Sequence, residues 1–374
     1  MMETKPIGLY VHIPFCLRKC NYCDFCSEAA SIEKQRKYID NLILEIESYK
    51  TPKKQKINSI FFGGGTPSIL KGEDFLKIVE KINESFDLLE PYEFTVEVNP
   101  ATLTEEKVDA FKKAKVNRIS IGMQSIHENE LKILGRIHTY EDFEHTFNML
   151  REAGFKNISI DLMYGIPHQT VTSFSETIDR VTALSPEHIS AYALIIEEGT
   201  PFYEMREGLP LPTEDEECDM YDILCARLGT AGYSHYEISN YAKDGKMSMH
   251  NLKYWHDEEY IGIGLSAHSY YGGKRFYNTD SFEEYFENFG AKYRKEENEK
   301  VGIDKFEYAM LALRLSDGFS LSEYENLFGE KFAIGKESLI NAYVDNGFLK
   351  IENGRIFLTD KGFYISNTIL SELL

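Results

Sequence analysis

A single tryptophan, a deficit of positive charge and the lack of any long apolar run set the first limits on this 374-residue chain. No stretch approaches the ~20 apolar residues that a membrane-crossing helix needs. Lys and Arg total 41 against 61 Asp and Glu, a formal charge of -20. Nonspecific nucleic-acid binding, which needs a basic surface to displace counterions, is therefore not expected. The opening residues, MMETKPIGLYVHIPF, lack the basic-then-apolar order of a secretory signal. The expectation is a cytoplasmic protein, with peripheral contact at a membrane left open. There is no low-complexity tract. Cysteine is scarce outside one place: four of the six lie between residues 16 and 26. In a reducing compartment such a cluster reads as metal ligands before disulfides.

What is present is a hydrophobic share of 43%, enough for a sizeable core. Tyr and Phe number 24 each, so a flat aromatic ligand would find stacking partners, although core packing is the commoner use of such rings. Short β-like runs at 9–13, 59–62, 94–98, 118–121, 159–163 and 189–194 alternate with amphipathic helical segments. In one of these, Ile39, Leu42, Ile43 and Ile46 share a face, with Asp40, Asn41 and Glu45 expected elsewhere. Thr104 before Glu105 and Glu106 is an N-cap candidate. Six β-then-α units predict an α/β fold with a parallel sheet covered by helices on its outer face. Residues 209–236 suggest a helix and another short strand. Residues 241–280 read as irregular. From about residue 301, helical segments lead into a hairpin at Asn353-Gly354, which suggests a small winged-helix-like domain. The expected division is 1–240, 241–300 and 301–374.

In parallel barrels chemistry collects where the strands end and the βα loops gather. Cys16, Cys20 and Cys23 follow the first run with the spacing CxxxCxxC. Three soft thiolates on one loop suit one face of an iron-sulfur cubane, leaving one iron open. A structural zinc would need a fourth ligand, which Cys26 could supply. Tyr22 lies inside the same loop, and Gly63-Gly64-Gly65-Thr66-Pro67 follows the second run. Glycines there let the main chain approach a ligand. Glu97, Gln124 and Asp161 fall at or after three further strand ends, with Arg136 beyond. Their carboxylates and amide suit a ribose or an ammonium group, and the guanidinium suits a carboxylate. Singly, each could equally be a buried structural partner.

Together, LYVHIPFCLRKCNYCDF, FFGGGTPS, TVEVNP, NRISIGMQS, LGRIH, IDLMYGIPHQT, HNLKYW and IGIGLSAHS resemble the radical S-adenosylmethionine superfamily, in the branch that holds oxygen-independent coproporphyrinogen III oxidases and heme chaperones. The resemblance implies a partial (β/α)6 barrel with a small α+β C-terminal domain. It implies a 4Fe-4S cluster on Cys16, Cys20 and Cys23. It also implies an S-adenosylmethionine pocket lined by Tyr10, Tyr22, Gly64, Gly65, Thr66, Glu97, Gln124, Arg136 and Asp161.

Three features favour the chaperone type over the oxidase type. Asp24-Phe25 follows the third cysteine where the oxidases have Gly-Cys, which leaves Cys26 outside both patterns and expected to be a non-ligand. The motif begins near residue 10, without the oxidases' longer N-terminal extension. His250-Asn251-Leu252-Lys253-Tyr254-Trp255 matches the HNxxYW element of heme chaperones. There His250 is the expected axial ligand, with Tyr254 and Trp255 packing on the porphyrin. His268 is a second candidate. The implied activity is heme binding and transfer to an acceptor protein, a membrane-bound respiratory one being one option. The alternative is oxidative decarboxylation of coproporphyrinogen III propionates to vinyl groups. Cys218 and Cys225 are expected to be core residues, and His12 a hydrogen-bonded structural group.

Overall fold

Alternating side chains decide which face of each strand is buried, and here the odd-numbered positions of the first strand, Leu9, Val11 and Ile13, are all fully buried. The computed structural model describes residues 5–287, 295–296 and 304–374. The parallel strands are β1 (Ile7–Ile13), β2 (Gln55–Gly64), β3 (Phe86–Val98), β4 (Arg118–Gln124), β5 (Ile158–Tyr164) and β6 (His188–Ala193). They lie side by side in chain order. Between them run α1 (Ile32–Ser48), α2 (Gly72–Ser85), α3 (Glu105–Lys113), the short α4 (Glu128–Ile133), α5 (Tyr140–Glu152) and α6 (Val171–Leu184). The fold is thus a mixed α/β partial barrel built on the six expected units. The apolar outer face of the strands joins Tyr38, Leu42, Phe75, Ile78 and Phe143 of the helices in one continuous core. The inner face carries Ser120, Asp161 and other polar side chains. Thr104 caps α3 as expected, its side chain accepting from Lys107 N.

Beyond β6 come α7 (Pro201–Met205), α8 (Glu214–Thr230), β7 (Ser234–Glu237), β8 (Asn240–Ala242), α9 (Met249–Trp255), β9 (Tyr260–Ile263), β10 (His268–Tyr271), β11 (Lys274–Tyr277), α10 (Phe282–Glu287) and β12 (Lys295–Glu296). This corrects the expectation of an irregular segment after residue 240. The chain returns across the barrel, and β9 pairs in parallel with β1, Gly8 opposite Tyr260. The sheet has twelve strands, ordered β12-β11-β10-β9-β1-β2-β3-β4-β5-β6-β8-β7. Four-residue strands that find their partner some 250 positions away leave no local periodicity to read.

The same return path corrects α1. Ile39, Leu42 and Ile46 are buried as expected, but so are Asn41 and Glu45, at 8% and 1% exposure. Segment 264–285 covers that side of the helix. Glu45 accepts hydrogen bonds there from Gly264 N at 2.9 Å, Asn278 Nδ2 at 2.7 Å and Tyr285 OH at 2.7 Å. A carboxylate so supplied with donors tolerates burial.

The C-terminal domain consists of α11 (Lys305–Ala312), β13 (Phe319–Ser320), α12 (Leu321–Phe328), α13 (Glu337–Asp345), β14 (Leu349–Glu352), β15 (Arg355–Leu358), α14 (Asp360–Tyr364) and α15 (Ser366–Leu373). Its small antiparallel sheet has the order β13-β15-β14. Asn353 and Gly354 turn the hairpin with φ of 52° and 76°, the left-handed pair that a type I′ turn requires.

Candidate functional site

The loop after β1 carries Cys16, Cys20 and Cys23, and main-chain bonds hold it in place. Cys16 N donates to Glu28 O at 3.0 Å, and Asn21 N donates to Leu134 O at 2.9 Å. Gly65 N and Thr66 N dock the loop after β2 onto Ile13 O and Phe15 O, at 2.9 and 2.7 Å. That close approach demands glycine. A Cβ on Gly65 would sit 2.7 Å from Phe15 O, and Gly64, at φ +107°, would press a Cβ to 2.4 Å from the His12 ring.

A cavity of about 340 Å³ opens between these loops and the strand ends. All three cysteines line it, as do Tyr22, Gly64, Gly65, Thr66, Glu97, Gln124, Arg136 and Asp161. Residues from five successive strand ends and loops are thereby gathered at one rim. Gln124 takes φ of 69°, a costly conformation for a non-glycine residue, and is only 8% exposed at the cavity.

Among the described residues, the only group of three or more His, Cys, Asp or Glu side chains whose ligand atoms all lie within 4.8 Å of one another is elsewhere. The three loop thiols are therefore spread more widely than one small ion would draw them. That spread, with three thiolates on one loop and no fourth donor among them, fits a cubane better than a single zinc ion. Arg136 Nη1 donates to Cys20 Sγ at 3.6 Å and Thr66 Oγ1 to Cys16 Sγ at 3.5 Å. Donors of this kind stabilise thiolate charge.

The rest of the cavity is lined by ionisable groups. Arg136 bonds to Asn99 Oδ1 and to Gly122 O, while its buried Nε has no hydrogen-bond partner. A guanidinium at the cavity wall with an unsatisfied N–H fits a carboxylate-bearing ligand. Opposite in sign, Asp161 accepts from Ser120 Oγ at 3.0 Å. Burial, reinforced by the nearby Asp161, pushes the Glu97 carboxyl from the ordinary 4.5 up to about 8. Guanidinium and carboxyls together suit the amino acid end of S-adenosylmethionine.

A raised carboxyl pKa makes the folded state bind the extra proton. Its stabilising share is present below pH 4.5 and is lost as pH rises through about 8. Ligand-free protein is thus expected to lose stability between those limits, by roughly a few kcal/mol at most. Glu97→Gln should flatten the profile. Thermal melts of both forms across that range check it; parallel curves would show that Glu97 does not carry the effect.

Tyr10 departs from the expected set. It lines a second cavity, of about 490 Å³, together with His12, Cys26, Tyr254, Tyr260 and His268. Phe25, 64% exposed, borders both cavities. His12 is structural as expected, its ring bonding Tyr10 OH at 3.0 Å and Cys26 O at 2.8 Å. Burial lowers its pKa to about 4, which keeps it neutral. Cys26 lines the second cavity and not the first, and its thiol lies 3.9 Å from Asp280 O.

The HNxxYW residues separate. Tyr254 lines the second cavity. His250 lies behind it at 1% exposure, with Nδ1 on Ser59 Oγ at 2.9 Å and Nε2 on Tyr254 OH at 2.8 Å. Both ring nitrogens are occupied, so His250 presents no free one as an axial ligand in this arrangement. Trp255 lines neither cavity, and its indole N–H pairs with Glu237. The structure puts these three on one short helix but not on one face of a site.

Asn99 was missed. Its Nδ2 donates to Thr66 Oγ1 at 2.9 Å and its Oδ1 accepts from Arg136, so it links the supports of Cys16 and Cys20. It lies two residues after Glu97 in TVEVNP, and an Asn-Pro pair directly after a strand was the available signal. Tyr192 and Met163 also line the cavity. Counting by twos from Asp161 along β5 would have found Met163.

Residues 10–181 match the family described as the radical SAM superfamily, and residues 305–365 match the HemN C-terminal domain. The chain is 36% identical to the heme chaperone HemW of Lactococcus lactis subsp. lactis (strain IL1403), over 100% of this chain and 98% of that protein. It is 36% identical to the heme chaperone HemW of Bacillus subtilis (strain 168), over 98% of each. Among solved structures, coproporphyrinogen III oxidase (HemN) from Escherichia coli superposes with a TM-score of 0.83 at 22% identity, over 98% of this chain and 89% of that one, a likeness of fold. Such identity along the whole chain, together with the cysteine rim, makes it a member of the heme chaperone HemW family within the radical SAM superfamily.

Proposed function

We propose that the chain binds heme in the second cavity and passes it to an acceptor protein, while the first cavity holds the 4Fe-4S cluster and S-adenosylmethionine. Superfamily membership implies those two cofactors, which when bound supply one-electron chemistry. Cys16, Cys20 and Cys23 would hold the cluster, with Arg136, Glu97 and Asp161 orienting the ligand beside it.

The observation that carries the heme reading is the wall of the second cavity. Tyr10, Tyr254 and Tyr260 line it with aromatic rings suited to an apolar ligand, Tyr254 and Tyr260 meeting edge to face at 81°, and Cys26 and His268 line it as candidate axial donors. His268 is exposed at the cavity. It takes over the axial role expected of His250, which instead fixes the Tyr254 hydroxyl. In this reading residues 1–240 carry the cluster, 241–300 complete the heme wall and 301–374 face the acceptor. The acceptor would be a hemoprotein of a respiratory membrane. No helix among the described residues is long and apolar enough to cross a membrane itself.

Heme titration followed by absorbance tests this. Wild-type protein is expected to bind about one heme, with His268→Ala shifting the Soret band and weakening binding by about tenfold or more. His250→Ala should change the band less. Full loss in His250→Ala with His268→Ala unaltered would move the ligand back to His250. Failure of the wild type to bind heme, with turnover of coproporphyrinogen III by cluster-loaded protein, would replace the chaperone reading with the oxidase.

A further inference from the structure

Far from both cavities, three ligating side chains from three separate elements meet where the C-terminal domain packs on the barrel. Cys225 comes from α8, His235 from β7 and Asp360 from the start of α14. One ligand atom from each lies within 4.8 Å of the others. His235 is held rigidly: its ring stacks on Tyr241 with centroids 4.3 Å apart and 13° between planes, and Phe363 flanks it at 4.9 Å. Nδ1 pairs with Asp360 Oδ1 at 2.9 Å. Nε2 is buried with no hydrogen-bond partner. A buried imidazole nitrogen left unpaired is costly unless something fills its need.

We propose that Cys225, His235 and Asp360 form a binding site for a zinc-type divalent ion that pins the C-terminal domain to the barrel. Thiolate, imidazole and carboxylate are the donor types that zinc selects, and a fourth position is left to water on the exposed side of Asp360. Tyr241 OH lies 3.2 Å from Cys225 Sγ, close enough to steady the sulfur by a hydrogen bond. Without an ion, burial pushes the Cys225 thiol up to about 11, and the thiol is neutral. Binding a divalent ion would therefore displace one thiol proton to solvent, leaving a Cys225–metal bond. Cys225, expected from sequence to be a core residue, thereby gains a ligand role. The domain docking does not rest on the ion alone. Ile238 N donates to Arg314 O at 2.9 Å and Ser316 N to Tyr236 O at 3.1 Å, so the metal-free protein keeps its arrangement.

The test is metal analysis of cluster-loaded protein dialysed against micromolar zinc. About one zinc per chain is expected besides the iron. Cys225→Ala and His235→Ala should each lose the zinc and keep the iron, and retained iron reports that the barrel has folded. A Cys16/Cys20/Cys23 triple alanine variant should keep the zinc and lose the iron, which separates this site from zinc trapped on empty cluster thiols. Cobalt added to that triple variant should give a thiolate-to-cobalt charge-transfer band that Cys225→Ala abolishes. Absence of zinc from the wild type, or zinc that follows the three cluster cysteines and is indifferent to Cys225 and His235, would overturn the proposal and leave an ordinary His235–Asp360 ion pair.

Discussion

Cys20→Ala is expected to lower iron from about four atoms per chain to near none and to abolish the cluster's visible absorption. In the proposed reading each loop cysteine would hold one iron of the cluster, so the loss of one thiol should not be made good by the other two. The spare thiol is Cys26, which lines the other cavity, with its carbonyl fixed by His12 at 2.8 Å and its thiol 3.9 Å from Asp280 O. Cys26→Ala should accordingly leave the iron content unchanged. The loss should be specific to the cluster, because main-chain and amide bonds that involve no thiol hold the loop. These include Cys16 N to Glu28 O at 3.0 Å and Asn21 Nδ2 to Ile133 O at 2.8 Å. Iron analysis beside circular dichroism checks both parts. Iron retained in Cys20→Ala but lost in a Cys20/Cys26 double variant would show that Cys26 serves as a ligand after all.

Glu93→Ala is expected to have the largest effect on stability, about 3–5 kcal/mol. Glu93 lies in β3 away from the cysteine rim, 4% exposed, with the Arg118 guanidinium 3.9 Å away and itself 2% exposed. The carboxylate also receives Ser248 Oγ at 3.3 Å, Met249 N at 3.0 Å and His250 N at 3.1 Å, so it anchors the start of α9. Its removal takes this carboxylate from the buried Arg118 guanidinium, whose Nε already lacks a hydrogen bond, and takes the acceptor from the first N–H groups of the helix that carries His250 and Tyr254. Urea melts of cluster-free protein should show the loss. A double variant with Arg118→Met should recover part of it, since the unpaired charge causes most of the cost. A deficit below about 1 kcal/mol in Glu93→Ala would mean that water reaches Arg118.

Much of the molecule was legible from local pattern. Six strands announced themselves through runs such as Val11 to Ile13, the helices through spacing such as Leu42 to Ile46, and the hairpin through Asn353-Gly354. The cluster loop and the Gly64-Gly65 contact were legible as well. Both are short segments whose residue types leave the chemistry few choices, three soft donors in one case and no Cβ in the other. Pairs distant in sequence were not legible. Glu45 looked solvent-facing because nothing local shows that Asn278 and Tyr285 return to cover it. His250 looked like a ligand because its motif records neighbours along the chain, whereas its two ring nitrogens are taken up by Ser59, 191 positions away, and Tyr254.

The sequence by itself therefore determined the element types, the parallel sheet and the three-cysteine rim, because periodicity, glycine sterics and ligand spacing act over a few residues. Only the tertiary structure decided that β9 flanks β1, that Tyr10 and Tyr254 share a cavity with Cys26 and His268, and that Cys225 meets His235 and Asp360. Those outcomes depend on which distant segments pack together, and burial of an apolar face fixes that a partner exists without naming which one.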